Sequence, residues 1–248
     1  MVRPSESHPP ISVVIPCYNE ELRILPTLQH LVNFFGDRQQ SWEVVVVDDG
    51  SVDRTSACVR ERFGEQPEVR LLRYEPNHGK GFAVREGVLA SREDLVLFTD
   101  ADLSTPIAEL PKLERQAEAG FNVVVGSRVA PGSRIPTPQP LRRRVSGALF
   151  RSFVSAFGLT TVRDTQCGFK LFQRAAVEPI LRQVTTEGFA FDVELLARAE
   201  RKGLRVAEVG VEWNDAKGTR LRLFPDAWRM AVDLLRIRRL LAAERAVN

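Results

Sequence analysis

Cysteine and histidine are scarce and scattered. Cys17, Cys58 and Cys167 form no C-x-x-C pair, and His8, His30 and His78 lie equally far apart. Those spacings exclude a zinc framework and a disulfide scaffold together. No apolar run approaches the roughly 18 residues that a bilayer crossing requires. Met1 to Pro10 is polar, carries three prolines and has no apolar segment of the kind that directs export. The expectation is a cytoplasmic protein with reduced thiols. Neither sign of charge dominates: 35 basic against 32 acidic residues give a formal +3, which argues against a dedicated nucleic-acid binder and leaves local clusters to carry any signal. Nor is there a polar linker long enough to separate two cores, and 248 residues at 44% apolar content suffice for one compact domain.

What is present is an alternation. Short runs rich in β-branched residues occur at Ile11–Ile15, Glu43–Val47, Val69–Tyr74, Leu95–Thr99 and Asn122–Gly126. Helical patterns fall between them: Leu25, Leu28, Val32 and Phe35 share one face, and Arg54–Phe63, Phe82–Ala90 and Ile107–Ala119 are of helix length. Strand-helix alternation predicts an α/β fold with a mostly parallel central sheet flanked by helices on both faces. Val129–Pro140, broken by four prolines, reads as a surface loop. Beyond it, Leu141–Phe157 reads as a basic amphipathic helix, Phe189–Lys202 as a helix, Leu204–Val211 as a strand and Pro225–Ala243 as a long helix studded with arginines. The expected organisation is a flexible segment 1–10, a single domain 11–223, and a basic amphipathic helix within 224–248 that packs on the domain or extends it.

Parallel sheets bind ligands beyond the carboxyl ends of their strands, and those ends are acidic here. Asp100-Ala101-Asp102 follows Leu95–Thr99, a spacing that suits Mg2+ or Mn2+ held against a diphosphate; the competing reading is a turn in which one Asp caps the next helix. Asp48 ends the second run, where a carboxylate accepts hydrogen bonds from a ribose or a base, while Asp53 stands where a helix needs a cap. Glu20, after Pro16-Cys17-Tyr18-Asn19, serves either the ligand or the first helical turn. Asn77-His78-Gly79-Lys80-Gly81 lets backbone and cation approach an anion at a helix start. It is not a P-loop, and no G-x-G-x-x-G follows the first strand, so a nucleotide fits better than a dinucleotide.

The ordered set Val14–Glu20, Val47–Ser51, Asn77–Gly81 and Thr99–Leu103 resembles the family 2 glycosyltransferases of GT-A fold. Val125–Arg128, Asp164–Lys170 and Phe191–Leu195 look like the subgroup that makes dolichyl-phosphate or other polyprenyl-phosphate sugars, and Ser104-Thr105-Pro106 looks more like its glucose than its mannose branch. The resemblance implies an inverting hexosyltransferase, with UDP-glucose favoured over GDP-mannose as donor. It implies that Pro16, Tyr18, Glu20 and Asp48 surround the nucleoside and that Asp100 and Asp102 hold the metal. It also implies that Lys80 or Arg220 meets the diphosphate and that Arg128, Arg142 and Ser146 hold a lipid phosphate. Lys170 serves that phosphate or pairs with Asp164. Asp192 and Glu194 match the place where family members keep a catalytic acid, or they merely favour a helix N-terminus. A lipid acceptor and the arginine-rich helices Arg142–Arg151 and Arg229–Arg245 predict contact with the cytoplasmic face of a membrane, unless Trp228, Ala231 and Leu235 simply pack on the core. The rival readings are a glycosyltransferase with a hydroxyl acceptor and a nucleotide-sugar-binding scaffold without activity.

Overall fold

The structure, a computed structural model, describes residues 8–38, 40–136, 151–214 and 223–247, and in the last stretch the side-chain surroundings of 231–244. Arg142, Ser146 and Arg220, expected in the site, lie outside the described residues, as do the side chains of Arg229 and Trp228. Seven strands form one sheet in the order β3-β2-β1-β4-β6-β5-β7. They are β1 (Ile11–Cys17), β2 (Trp42–Asp49), β3 (Val69–Tyr74), β4 (Leu95–Thr99), β5 (Val123–Ser127), β6 (Phe169–Gln173) and β7 (Val206–Gly210). Every pairing is parallel except those of β6, which runs antiparallel between β4 and β5.

Strand alternation explains the layers. Val13 and Ile15 of β1, Val44 and Val46 of β2, and Leu95 and Leu97 of β4 join one core; Val14, Val45, Val47, Val96 and Phe98 join the other. Both faces are apolar, so both must be covered. On the first face lie α1 (Ile24–Gly36), α2 (Thr55–Phe63) and α4 (Leu110–Glu118), and on the second α3 (Lys80–Ala90), α6 (Arg174–Leu181) and α7 (Phe191–Arg201). Residues 151–157 form α5, and α8 spans Leu223–Val247; Leu234, Ile237 and Leu241 of α8 pack with Val154, Val193 and Ala197 in a smaller satellite core.

The expected fold class stands, with local differences. The buried face of α1 is Ile24, Leu28, Leu31 and Phe35, so Leu25 and Val32 lie at its margin. The stretch expected as one helix over Ile107–Ala119 opens with a 3-10 turn, Ile107–Glu109, before α4. Neither β6 nor α6 was anticipated. Helix α3 begins at Lys80, two residues before the expected start, and this places the lysine in the first turn at the carboxyl edge of the sheet. The chain passes from β1 outward to β2 and β3, then returns to β4 on the other side of β1, so the topological switch point falls between β1 and β4.

Candidate active site

At that switch point a cleft of about 360 Å3 opens, with Pro16 from β1 and Tyr18 just beyond it, Asp49 from β2, Lys80 from α3, and Asp100 and Asp102 from the turn after β4 on its walls. The same strand parity that divides the core decides which residues reach it. Pro16, Asp49 and Asp100 continue the alternation of Val14, Val47 and Phe98, all on the α3 side. Asp48 has the opposite parity, and the structure corrects the expectation that it lines the cleft. It is fully buried; its Oδ1 accepts from Ser51 N at 2.8 Å, and its Oδ2 accepts from Ser56 Oγ and from Arg73 Nη1. The cleft carboxylate is its neighbour Asp49, which accepts hydrogen bonds from Asn77 Nδ2, His78 N and Gly79 N at 2.6 to 3.1 Å and so clamps the loop before α3.

Glu20 lines the cleft while pairing with Arg23 Nε at 2.6 Å; α1 starts at Ile24 with no acidic residue in its first turn, so the reading of Glu20 as a first-turn acid does not hold. Half-exposed Tyr18 and Phe189, the latter from the loop before α7, both line the cleft. Asp53 bonds Thr55 N at 2.9 Å and Glu21 N at 3.3 Å, a structural role, but the N-cap of α2 is Arg54 and not Asp53 as expected.

Around Asp100 the charges alternate. Lys80 Nζ lies 2.7 Å from Asp100 Oδ1 and 5.2 Å from the Phe98 ring centroid. Burial works against the Lys80 ammonium, but Asp100, Asp192 and Asp102 outweigh it and raise its pKa above the ordinary 10.5. Behind it the fully buried Lys170 donates to Cys167 O at 2.7 Å and stands 2.6 Å from Asp192 Oδ1, its ammonium 5.3 Å from the same Phe98 ring. That contact is an ion pair off the hydrogen-bonding direction: Asp192 Oδ1 is buried without a hydrogen bond among the described residues. Burial pushes the Asp192 carboxyl above its usual range, with Lys170 and Lys80 pulling the other way. Lys170 therefore pairs with Asp192 and not with Asp164, and its full burial keeps it from any acceptor that stays in the cleft. Glu194, the other candidate acid, is structural: it accepts from Thr185 N, Thr186 N and Arg198 Nε.

Asp164 instead grips Arg128, whose Nε, Nη2 and backbone N donate to it at 2.7 to 2.8 Å. Burial opposes both charges, yet each partner outweighs it for the other, lowering the Asp164 pKa and raising that of Arg128. Trp213 supports the guanidinium from 5.6 Å, and Asn214 N donates to Ser104 O at 2.7 Å, tying the residues before 215–222 to the turn after Asp102. Arg128 is thus a fixed fork, held on one edge and stacked on an indole.

Two carboxylates suit a hard cation. Among the described residues no cluster of three or more His, Cys, Asp or Glu forms a closed cage, so a metal at Asp100 and Asp102 needs further oxygens from a ligand such as a diphosphate. Asp102 Oδ1 accepts from Ser104 N at 2.9 Å, which orients that carboxylate. Burial pushes Cys167 up to about 11 and raises Cys17 well above its usual value, which disfavours a thiolate at either.

The family model described as Glycosyl transferase family 2 matches residues 12–181, which holds β1 to β6 and the acidic pair. The chain belongs to this family. It is 37% identical over 246 residues to the dolichyl-phosphate beta-glucosyltransferase of Saccharomyces cerevisiae, covering 92% of this chain and 74% of the relative. The human protein of that name is 34% identical over 246 residues, with 92% and 74% covered. Among solved structures, Mycobacterium tuberculosis glucosyl-3-phosphoglycerate synthase in complex with Mn2+, UDP and glucosyl-3-phosphoglycerate superposes with a TM-score of 0.67 at 21% identity, over 92% of this chain and 78% of that one. Mannosyl-3-phosphoglycerate synthase from Rubrobacter xylanophilus gives 0.68 at 19% identity, over 95% and 75%. These neighbours share the GT-A fold.

Arg73, Phe189 and Trp213 are not singled out by the sequence, and Asp49 and Asn77 appear there only inside their motifs, with no role of their own. The parity of β2 carried one residue past Val47 would have found Asp49. No pattern in the chain marks Phe189 or Trp213.

Proposed function

We propose that this enzyme transfers glucose from UDP-glucose to a dolichyl or other polyprenyl phosphate, with inversion at the anomeric carbon. The observation that carries the reading is the alignment of dolichyl-phosphate beta-glucosyltransferases over 92% of the chain. The geometry is consistent with it. Pro16, Tyr18 and Asp49 offer a shallow wall for a nucleoside, and Lys80, Asp100 and Asp102 stand where its diphosphate would end. In the transfer an acceptor phosphate oxygen bonds to the anomeric carbon as the bond to the diphosphate breaks, and the electron pair leaves with the nucleoside diphosphate.

Mg2+ or Mn2+, bound by Asp100 and Asp102, would supply neutralisation of the charge that develops on the departing diphosphate. Lys80, a persistent cation, adds to that stabilisation from the helix start. Arg220 has the charge to do so as well. On the entering side a phosphate is already anionic, so it requires orientation and no strong base. Arg128, pre-aimed by Asp164 and Trp213, supplies that orientation, with Arg142 and Ser146 as its proposed companions. Asp192, buried and paired with Lys170, orients charge at the inner end of the cleft and is poorly placed to shed and take up protons from solvent.

Among the described residues no helix is long and apolar enough to cross a membrane. A lipid acceptor must nevertheless be met at a surface. Helix α8 turns Leu234, Ile237 and Leu241 inward but leaves Val232 and Leu235 half-exposed beside Arg236 and Arg239, an apolar face with cations that suits anionic lipid. Incubation with labelled UDP-glucose or GDP-mannose, polyprenyl phosphate and Mg2+ tests the reaction. Organic-extractable label from UDP-glucose supports it, whereas label only in water-soluble product overturns it in favour of a hydroxyl acceptor. Flotation with anionic liposomes tests the surface, and full recovery in the unbound fraction removes it.

A further inference from the structure

An acidic pair that waits for a divalent cation has to be kept from repelling itself, and in this protein a side chain already does so. Asp100 Oδ1 is 2.7 Å from Lys80 Nζ, and Asp100 Oδ2 is pressed against Gly168, where even a Cβ would not fit. One oxygen is therefore engaged by an ammonium before a metal arrives, and the other is packed closely on glycine. Lys80 is anchored at its backbone, because Gly79 N donates to Asp49 and Gly81 N donates to Glu187 O at 2.7 Å. Its side chain alone is left to choose among anions, with Asp100 in front and Asp192 behind. Asp192 is in turn held by Lys170, which shares the Phe98 ring with Lys80. A diphosphate in the cleft would present Lys80 with a third, more highly charged partner.

We propose that Lys80 is a resident counter-ion of the metal site that couples metal binding to donor binding. In the donor-free enzyme it occupies Asp100 and weakens the site for a free divalent ion. When a nucleoside diphosphate enters, the ammonium follows the phosphate oxygens and releases Asp100 to the metal. Metal and donor then bind each other's complexes more tightly than they bind the free protein, and the coupling is the same in both directions. The inference rests on the donor half of the proposed function and not on the acceptor.

The test is a Mn2+ titration of the full chain, read by the paramagnetic resonance signal of free Mn2+, without and with saturating UDP. Wild type is expected to bind Mn2+ weakly alone and roughly 5- to 150-fold more tightly with UDP, the usual range of coupling. Lys80→Met is expected to bind Mn2+ alone more tightly than wild type and to show a smaller UDP effect, the remainder coming from the diphosphate oxygens themselves, while Lys80→Arg keeps the wild-type pattern. A gain in metal affinity is an outcome that a misfolded variant cannot imitate, and Lys80→Gln, carried in parallel, provides a second uncharged side chain. If both uncharged variants bind Mn2+ alone no more tightly than wild type, while UDP still tightens Mn2+ binding to wild type, the counter-ion role is overturned and the donor site stands. If wild type binds no Mn2+ even with UDP, both fall.

Discussion

Replacing Gly168 by alanine perturbs the site through one methyl group. Gly168 precedes β6, and its carbonyl accepts from Asp100 N at 3.2 Å. Its φ lies outside the left-handed region, so alanine imposes no backbone strain. The new Cβ would nevertheless fall 2.7 Å from Asp100 Oδ1 and closer still to Oδ2, well inside van der Waals contact. The cheapest relief is rotation of Asp100, whose side chain is 33% exposed, away from Lys80 and from the line it shares with Asp102. Because the displaced group is partly solvated, the stability loss should stay at or below the ~1–3 kcal/mol typical of overpacking. Displacement of a reacting group by about 1 Å costs on the order of 100-fold in rate, which is about 2.7 kcal/mol of barrier. Steady-state kinetics at saturating Mn2+ with a parallel thermal melt separate the two effects. The expected result is kcat/KM down about 100-fold with a melting midpoint close to wild type. Unchanged kcat/KM in the folded variant would show that the position of Asp100 does not matter and would refute the reasoning.

Asp164→Asn keeps the shape of the Arg128 partner but removes the carboxylate that accepts at both Nε and Nη2; the KM for polyprenyl phosphate should rise about ten-fold, roughly 1.4 kcal/mol, with the KM for donor unchanged, as initial rates at varied acceptor will show. Lys170→Met strands a buried carboxylate and should cost about 3–5 kcal/mol in urea denaturation. Adding Asp192→Asn should restore part of that loss, since the double variant removes the uncompensated charge. Burial opposes ionisation of Glu43, but Arg70, Ser12 and Arg92 N hold its pKa below 4.5. The unfolded chain thus binds more protons just below pH 4.5, so this stability is fully present above that pH and is lost as pH falls through the folded value. Melting midpoints measured from pH 7 downward should decline over that window in wild type, and Glu43→Gln should be less stable at pH 7 with a flatter acid limb.

The parts of the fold legible in the sequence were those with strong periodicity. Strands β3 and β4 fall on their expected spans, and Val44 to Val47 announce a strand buried on both sides. β6 is hard to read from the sequence because its second residue is Lys170, a charge that interrupts the apolar pattern and is tolerated only because Asp192 meets it in the core. Pro179 inside α6 broke the helical pattern in the same way. For the site, Asp100, Asp102, Lys80 and Tyr18 were legible since their chemistry and their place after a strand or before a helix coincide. Asp48 and Asp49 are both carboxylates and both buried, and only side-chain parity tells the one on the cleft wall from the one beneath the opposite face. The Arg128–Asp164 and Lys170–Asp192 pairs join residues 36 and 22 positions apart, a partnership set by tertiary packing that no local pattern encodes.

The most direct test of the account is calorimetric titration of UDP into the wild-type enzyme and Asp102→Ala, each with and without Mn2+. The account predicts that wild type binds UDP tightly only with Mn2+, and that Asp102→Ala loses at least ten-fold in that metal-dependent affinity, about 1.4 kcal/mol, while its residual metal-free binding is unchanged. Equal Mn2+-dependent affinity in the two proteins would contradict it.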